Sequence, residues 1–465
     1  MSSPISTSLR WRLSVLWALQ WGITGSTLTY LPLYFTEHRV DAQQLGQLMA
    51  VAALGLLVAP LVVGQVCDRW MHSEKYLAIA HFLGGFTLTY IPEAARVYAE
   101  TQDNFPVLLG LIAVYAAAYF PTIPLASSLT FRHLTDPDSQ FGSIRIWGTV
   151  GWVLAGLGLS LWLGQREFSV WLYRAFPGGG VLFNEAGTVF DFLGSPSSDD
   201  AFDIAAILSF ALSAFCVFLP KTPPLHVRTE KLSRAERKAN RKKTRIRERF
   251  AVLSVLRLFL DPQVALLIAI SFALALVVPT YSLAVPILLE HLGISAHWVP
   301  AVMTVGQISE FPCLALLHWC LARWGAKITF ALGMLAWLVR YGLFAADTPF
   351  AVVMFGVSLH GVCHVFLVIV VQLYLDRRCP PDTKATAQNI FAFLTLGIAL
   401  PLGFLLAGWW GRICRLTTPD MANFSLFFAV PAGIVAGLLL IFWTFTDTKL
   451  GLETKDDESP ADTGD

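Results

Sequence analysis

The chain contains few charged residues for its length. Lys, Arg, Asp and Glu account for 14% of its 465 residues, whereas they make up about a quarter of an ordinary soluble protein. Hydrophobic residues reach 55%, and the mean hydropathy is +0.60. This composition excludes an ordinary soluble domain and indicates a protein that crosses a membrane several times.

The sequence also lacks the usual signatures of enzymes, metal sites and nucleic-acid binding. Its seven cysteines are scattered and form no Cys-x-x-Cys pair, so neither a redox pair nor a zinc site is indicated. It has no recognisable phosphate-binding loop, zinc-protease motif or nucleophile triad, and its formal net charge is only +1. We therefore expect no enzymatic activity, no cofactor, no metal and no nucleic-acid partner.

Long apolar runs are the dominant feature. A helix needs ~20 apolar residues to cross the hydrocarbon core, and the alternating short segments of a membrane barrel are not seen. Twelve such runs lie at 12–35, 44–66, 76–95, 106–126, 143–163, 203–220, 263–288, 297–321, 327–345, 350–375, 386–411 and 421–445. We predict an all-α polytopic membrane protein whose twelve transmembrane helices form two six-helix bundles.

The distribution of Lys and Arg predicts the orientation. Twelve of them lie between Lys221 and Arg249, and basic loops stay on the cytoplasmic side. An even number of helices on each side of this loop then places both termini in the cytoplasm. We expect a multi-pass protein of the inner membrane, with the lipid bilayer as its environment.

These features divide the chain into four parts. Residues 1–220 form an N-terminal six-helix bundle, with a Gly- and Pro-rich outer-loop insertion at 164–202. Residues 221–261 form a cationic cytoplasmic linker, and residues 262–448 form the C-terminal bundle. The acidic tail 449–465 is predicted to be disordered.

The eighth run carries an acid near its middle. A carboxylate at membrane depth costs at least ~2.5 kcal/mol on insertion, so Glu310 is a candidate functional residue. Gln307 lies three residues earlier and Thr304 six earlier, on the same helix face. This face is predicted to line a wet cavity; alternatively, Glu310 is a structural residue bonded to another helix, or it is protonated and has no functional role.

Polar residues also interrupt runs in the N-terminal half. Gln20 begins a polar stripe on the first run, which either bonds helices together or lines a path, and Tyr119 lies one turn after another tyrosine. In the fifth run, Arg145, Thr149 and Trp152 occur at i, i+4 and i+7 and share one face. Arg145 alternatively extends its guanidinium to the inner membrane surface.

Two runs in the C-terminal half carry further candidates. Ser282 lies between Pro279 and Pro286, which predicts a kinked or broken helix, and broken helices hold binding sites in transporters. In the tenth run, His360 and His364 are one turn apart. Without a third ligand nearby in sequence, they indicate a pH-sensitive polar lining rather than a metal site.

Several motifs in collinear order resemble the nucleoside:proton symporter family of the major facilitator superfamily. They are AYFPT from Ala118, IRIWGTVGW from Ile144, GQISE from Gly306, LARWGAK from Leu321 and AWLVRYGLFA from Ala336. The resemblance implies the two-bundle fold and a solute site at the interface of the two repeats. It also implies that Arg145, Thr149, Gln307 and Glu310 line a nucleoside cavity.

Four positions depart from the family pattern. Pro279 and Ser282 stand where the family has amide residues, His360 replaces an aromatic residue, and Val365 occupies the position of the acid credited with proton coupling. We therefore predict a monomeric secondary transporter of nucleosides, driven by protons carried on Glu310 with help from His364. A transporter of a sugar or another hydroxylated metabolite, and a transport-inactive sensor of the same fold, remain alternatives.

Overall fold

The computed structural model confirms the all-α prediction. The described residues form helices and contain no strand. They comprise residues 5–176, 195–224, 255, 257–379, 383–418 and 420–446. Most of the predicted cationic linker and the whole acidic tail from 449 lie outside the described residues, as does the outer loop between 177 and 194.

Nine α-helices precede the linker in the described part of the chain. They are α1 (Thr7–Thr27), α2 (Leu31–Glu37), α3 (Ala42–Arg69), α4 (Ser73–Thr101), α5 (Phe105–Tyr119), α6 (Thr122–His133), α7 (Pro137–Leu163), α8 (Gln165–Ala175) and α9 (Asp200–Phe215). A 3₁₀ turn at Cys216–Phe218 follows α9. Helix α8 occupies the start of the segment predicted to be an outer loop.

The second half begins with α10 (Pro262–His291). It continues through a 3₁₀ turn at Ala296–Trp298, α11 (Val299–Ile308), α12 (Glu310–Ala345), α13 (Phe350–Ser358), α14 (His360–His364), a π-turn at Val365–Ile369, α15 (Val370–Arg378), α16 (Lys384–Ala392), a π-turn at Phe393–Ala399, α17 (Leu400–Ile413) and α18 (Phe424–Phe445).

Eight helical stretches of the described chain are long and apolar enough to cross a membrane. They are Phe105–His133, Gln140–Leu163, Asp200–Phe218, Pro262–His291, Ala296–Ala345, Phe350–Arg378, Thr386–Ile413 and Phe424–Phe445. The stretch Ala296–Ala345 joins two of the twelve predicted runs, and the first three predicted runs correspond to α1 with α2, α3 and α4. The protein is therefore a multi-pass membrane protein, and the count of twelve is consistent with its helices.

Breaks in the helices fall at different places from those expected. Of the kinked or broken helix predicted around Pro279 and Pro286, the break is wrong, since α10 is continuous from Pro262 to His291, and the kink stays a prediction. Inside α12, Gly325 adopts φ 74° and ψ 174°, which separates the two runs joined there. The π-turns lie in the tenth and eleventh predicted runs, and such turns are frequent at functional sites.

The chain packs as two compact units. The first unit comprises Met1–Lys231, Tyr281–Thr304 and Phe404–Ala422, and the second comprises Leu232–Thr280, Val305–Gly403 and Asn423–Asp465. Parts of α10, α11 and α17 thus belong to the first unit. The predicted boundaries at 220 and 262 describe the order along the chain, and the units describe which segments pack together.

Glycines allow close helix packing in the first unit. A Cβ atom added to Gly25 in α1 would lie 2.7 Å from Cα of Trp152 in α7, and one added to Gly151 would lie 2.7 Å from Cα of Ala18. A Cβ added to Gly46 in α3 would lie 2.7 Å from Cα of Gly408 in α17. Only glycine permits backbones to approach this closely.

Aromatic residues fill the second unit. Phe330 of α12 lies 4.8 Å, centroid to centroid, from Phe442 of α18. The Tyr341 hydroxyl donates to the carbonyl of Val277 in α10 at 3.1 Å and accepts from Thr280 at 2.9 Å. These contacts place α12 between α10 and α18, which fixes the helix that begins with Glu310.

Candidate functional site

Arg145 lies between two tryptophans of α1 in the first unit. Its guanidinium carbon is 4.7 Å from the ring centroid of Trp17 and 4.7 Å from that of Trp21. Cation–π contacts of this kind stabilise a partly desolvated guanidinium by ~1–2 kcal/mol. The Trp17 indole donates to Thr130 Oγ1 at 3.1 Å, so its ring is itself held in place. Thr149, one turn along α7, is half-buried.

Two indole N–H groups near Arg145 are buried without an acceptor among the described residues. They belong to Trp21 and Trp152, whose rings lie 5.9 Å apart at an interplanar angle of 40°. A buried donor without an acceptor costs ~1–3 kcal/mol, so such groups call for a ligand or an ordered water. The first unit thus offers two donors beside an anchored cation.

Gln20 belongs to a buried polar network that joins four helices. Its amide nitrogen donates to Thr122 Oγ1 at 2.9 Å, and its Oε1 lies 3.1 Å from Nε2 of His81. Ser209 donates to the carbonyl of His81 at 2.8 Å. Gln20 is 0% exposed. In this structure its side chain connects helices, and its role in substrate binding stays a prediction.

Tyr119 is held by the same network. Its hydroxyl contacts Thr24 Oγ1 and donates to the carbonyl of Gln20 at 2.5 Å, and its ring stacks on Tyr115 at 5.4 Å. Ser282 is half-buried on α10 next to Tyr281. It takes part in no side-chain hydrogen bond found among the described residues.

Glu310 lies in a chain of charged and polar groups in the second unit. Its Oε1 is 3.3 Å from Nε2 of His360, and Nδ1 of His360 is 3.4 Å from Nη1 of Arg340. Arg340 is 0% exposed, and its guanidinium carbon lies 5.3 Å from the Trp337 ring. A buried guanidinium requires hydrogen-bonding partners, and His360 links it to Glu310.

Close backbone approach fixes this geometry. A Cβ atom added to Gly361 would lie 2.8 Å from the amide nitrogen of Glu310, and one added to Gly306 would lie 3.2 Å from Cβ of His360. The amide of Gly361 donates to Ser309 Oγ at 2.8 Å. These contacts hold α14 against the junction of α11 and α12, so the His360 ring must face Glu310.

The partners of His360 determine its tautomer. Arg340 is a donor only and always charged, so a hydrogen bond from Nη1 requires Nδ1 of His360 to accept. The ring proton of neutral His360 then lies on Nε2 and donates to the Glu310 carboxylate. The arrangement delivers one hydrogen bond from Arg340 to His360 and one from His360 to Glu310.

Gln307 and His364 flank this chain. Oε1 of Gln307 is buried without a donor among the described residues. The His364 ring stacks on His360 at 5.9 Å and 7°, and His364 itself is exposed. Val365, at the position of the family's coupling acid, is 0% exposed and begins a π-turn. In the described part of the chain, no group of three His, Cys, Asp or Glu side chains is arranged to hold a metal ion.

His81 and Arg340 are the main residues that the sequence analysis did not select. Each is one of several polar residues in its helix, and the hydrogen-bonding partners found for it come from other helices. Arg340 lies inside the AWLVRYGLFA motif, which is the one sequence signal that marks it.

Relatives of known or assigned function exist for the whole chain. A putative nucleoside transporter, YegT, of Escherichia coli (strain K12) is 26% identical over 467 residues, which cover 97% of each chain. A xanthosine permease of the same organism is 23% identical over 94% of this chain and 95% of its own.

Solved structures show the same fold. The crystal structure of the nucleoside transporter NupG matches with a TM-score of 0.72 and 22% identity, over 94% of this chain and 98% of that chain. At this level of identity the match establishes the fold, and the predicted major facilitator superfamily fold is confirmed.

The family model described as the MFS_1 like family matches residues 10–416. This match covers most of the chain. The chain therefore belongs to the MFS_1 like family of the major facilitator superfamily.

Proposed function

We propose that this protein is a secondary transporter that moves nucleosides across the inner membrane by alternating access, driven by protons. Both termini lie in the cytoplasm, and the protein acts as a monomer. The observation that carries the proposal is the contact of Glu310 with His360 and of His360 with the buried Arg340. It is a protonatable group at membrane depth connected to a fixed positive charge.

Glu310 is the proton carrier in this proposal. With Nδ1 of His360 occupied by Arg340, a second ring proton would require loss of that hydrogen bond, whereas Glu310 is half-buried and open to protonation. Protonation of Glu310 removes the negative charge that faces His360 and weakens the charge-assisted hydrogen bond. The second unit can then change its conformation while the substrate is bound. His364, stacked on His360, completes the proton path.

Unpaired polar atoms support a substrate with both hydroxyls and a heterocycle. In the second unit, Oε1 of Gln307 is free to accept a hydrogen bond from a substrate, and in the first unit the indole N–H groups of Trp21 and Trp152 are free to donate one, since none of these atoms has a partner among the described residues. Arg145 and Thr149 add donors, and Tyr119 and Trp152 supply aromatic faces for a base. Together with relatives named as a nucleoside transporter and a xanthosine permease, these groups favour nucleosides over ions or lipids.

The test is binding to purified protein of uridine, adenosine, xanthosine and a panel of small sugars. Measurements are made at about pH 5.5 and about pH 7.5, between which the proton concentration differs about a hundredfold. We expect saturable nucleoside binding that changes with pH in the wild type and not in Glu310→Gln. Saturable sugar binding without nucleoside binding would overturn the substrate assignment.

A hydroxylated metabolite such as a sugar is the second candidate. Ser282 places a half-buried hydroxyl where the family has an amide, so one recognition group suited to a base is missing. If this substitution determines the substrate, Ser282→Asn should raise the affinity for nucleosides and lower that for the sugar. The panel above measures both changes.

Hydrogen bonds inside the first unit are proposed to close one side of the transporter. The amide of Ala301 donates to Ser160 Oγ at 2.9 Å, and Glu167 of α8 accepts from the Trp298 indole at 3.0 Å and contacts His297 at 3.0 Å. The hydrogen bond from Trp298 lowers the pKa of Glu167, aided by His297 and opposed by desolvation. These contacts hold residues 296–301 against α7 and α8.

Glu167→Gln should loosen this contact by a small amount. The carboxylate is about half exposed, so solvent screening limits its contribution to under ~1 kcal/mol. Because its pKa is lowered, the stabilisation is present above the ordinary carboxyl pKa and is lost as pH falls through the lower value. We expect amide hydrogen exchange of residues 296–301 to rise roughly threefold in the mutant at neutral pH.

Glu100→Gln, an exposed change on α4, serves as its control and should leave that exchange unchanged. Acidification well below the ordinary carboxyl pKa, through the lowered pKa of Glu167, should raise the exchange of the wild type, after correction for the intrinsic rate, and not that of Glu167→Gln. Equal acid sensitivity in the two proteins would contradict a role for Glu167.

A further inference from the structure

An apolar groove runs along the second unit between α12 and α18. Its volume is about 440 Å³. The lining consists only of Ala, Leu, Ile and Trp side chains, including Ile328, Leu335, Ala436, Leu440 and Trp443. Leu440 is 66% exposed and Trp443 54% exposed. The groove is therefore open along its length.

The groove is about as long as one bilayer leaflet is thick. Both of its helices belong to stretches able to cross the membrane, so its mouth faces lipid chains rather than water. On α12 the lining extends from Ile328 to Leu338, which is about 15 Å at 1.5 Å per residue. The hydrocarbon core is ~30 Å thick, and one acyl chain occupies half of it.

A cation and an indole lie at one end of the groove. Lys327 immediately precedes Ile328, and its ammonium nitrogen lies 5.3 Å from the centroid of the Trp443 ring. The ammonium donates one hydrogen bond to the carbonyl of Thr446, and an ammonium has three donors. None of the ion pairs found among the described residues includes Lys327. Lys and Trp in this arrangement are typical of the level of the lipid headgroups.

We propose that this groove binds one phospholipid, with an acyl chain along α12 and α18 and its phosphate at Lys327. The chain contacts the apolar lining, and the phosphate receives the remaining ammonium donors beside the indole of Trp443. In the proposed orientation this lipid belongs to the cytoplasmic leaflet. Neither Glu310 nor Arg145 lines the groove, so the proposal does not depend on the transported solute.

A second copy of the chain fits the groove less well than a lipid does. Helices that associate in membranes do so through small residues such as Gly, Ala, Ser and Thr. The groove is instead lined mainly by Leu, Ile and Trp, and a cation at one end matches a headgroup rather than another apolar helix.

The test is native mass spectrometry of the purified full-length protein, titrated with phosphatidylglycerol and with diacylglycerol of the same chains. Diacylglycerol lacks the phosphate. We expect one tightly bound phosphatidylglycerol and roughly fivefold weaker binding of diacylglycerol, since one cation near a lipid surface contributes about that factor. Lys327→Gln should remove this preference, and Lys327→Arg should retain it.

Filling the groove tests the position of the acyl chain. Ala436→Phe places a ring among the lining residues and should weaken phosphatidylglycerol binding at least about tenfold, because several methylene groups lose their contacts. Ile434→Phe is the matched control, since Ile434 is exposed on the same helix and does not line the groove. Thermal unfolding of each variant confirms that it is folded.

Two results would overturn the proposal. One is phosphatidylglycerol binding that is unchanged in both Ala436→Phe and Lys327→Gln, which would mean that bound lipids lie elsewhere. The other is a dimer of the wild type that Ala436→Phe dissociates, which would assign the groove to a second copy of the chain.

Discussion

Glu310→Gln is expected to abolish the accumulation of solute driven by a pH gradient. Gln keeps an oxygen that accepts from Nε2 of His360, so the geometry of the site is preserved, but it binds no proton in the working range. One proton per solute and a difference of one pH unit support about a tenfold accumulation. In reconstituted vesicles this ratio should fall to about one for the mutant.

Exchange of labelled for unlabelled solute should survive in the same mutant. Exchange requires binding and the conformational change but no net proton movement, so its rate should stay within about tenfold of the wild type. Glu93→Gln is the control, because Glu93 is exposed on α4 and should accumulate solute normally. Accumulation by Glu310→Gln with the wild-type dependence on pH would exclude Glu310 as the proton carrier.

The fold was predictable because its main determinant is local. Apolar runs of a length that crosses the bilayer specify the helices without reference to any other part of the chain. The positions of Cys, Gly and Pro inside those runs are less informative about where the helices break. Pro279 and Pro286 do not break α10, whereas the π-turn after His364 has no proline to announce it.

The candidate site was predictable only in part. Glu310 and His360 attract notice because titratable groups are costly in apolar runs, and the structure brings them within 3.3 Å of each other. This contact joins Glu310 to another helix, and its partial exposure keeps it accessible, so its role as a cavity residue stays a prediction. Arg340 and Trp21 acquire their roles from neighbours on other helices, and one sequence does not specify those neighbours.

The sequence also did not predict which helix ends pack together. Segments 281–304 and 404–422 pack with the N-terminal helices, although the order of the chain assigns them to the C-terminal bundle. The contacts responsible are a pair of glycines and a few polar groups, including Gly46 with Gly408 and Ser160 with Ala301. Such contacts leave no periodic pattern in the sequence.

Arg340→Gln should destabilise the protein, and the loss should depend on Glu310. The guanidinium is fully buried, and its loss leaves the buried Nδ1 of His360 without the donor it has in the wild type, which costs ~1–3 kcal/mol. Because Arg340 acts on Glu310 through His360, Arg340→Gln and Glu310→Gln should not be additive. A double-mutant cycle on apparent Tm in detergent should give a coupling of ~1–3 kcal/mol.

An exposed pair in the same chain supplies the reference for this coupling. Arg96 and Glu93 are 2.9 Å apart on α4 with more than half of each side chain exposed, and surface pairs of this kind contribute ~0–1 kcal/mol. The cycle of Arg96→Gln with Glu93→Gln should therefore show little coupling. If the two cycles gave equal values, the buried chain would not be a functional unit.

His360 decides whether the coupling is direct. The same cycle is repeated in a protein that also carries His360→Phe. Phe keeps an aromatic ring at this position but makes neither hydrogen bond. The coupling between Arg340 and Glu310 should therefore fall towards that of the exposed pair. A coupling that persists without the imidazole would mean that the two charges interact by another route, and Arg340 would then bias the proton affinity of Glu310 through space alone.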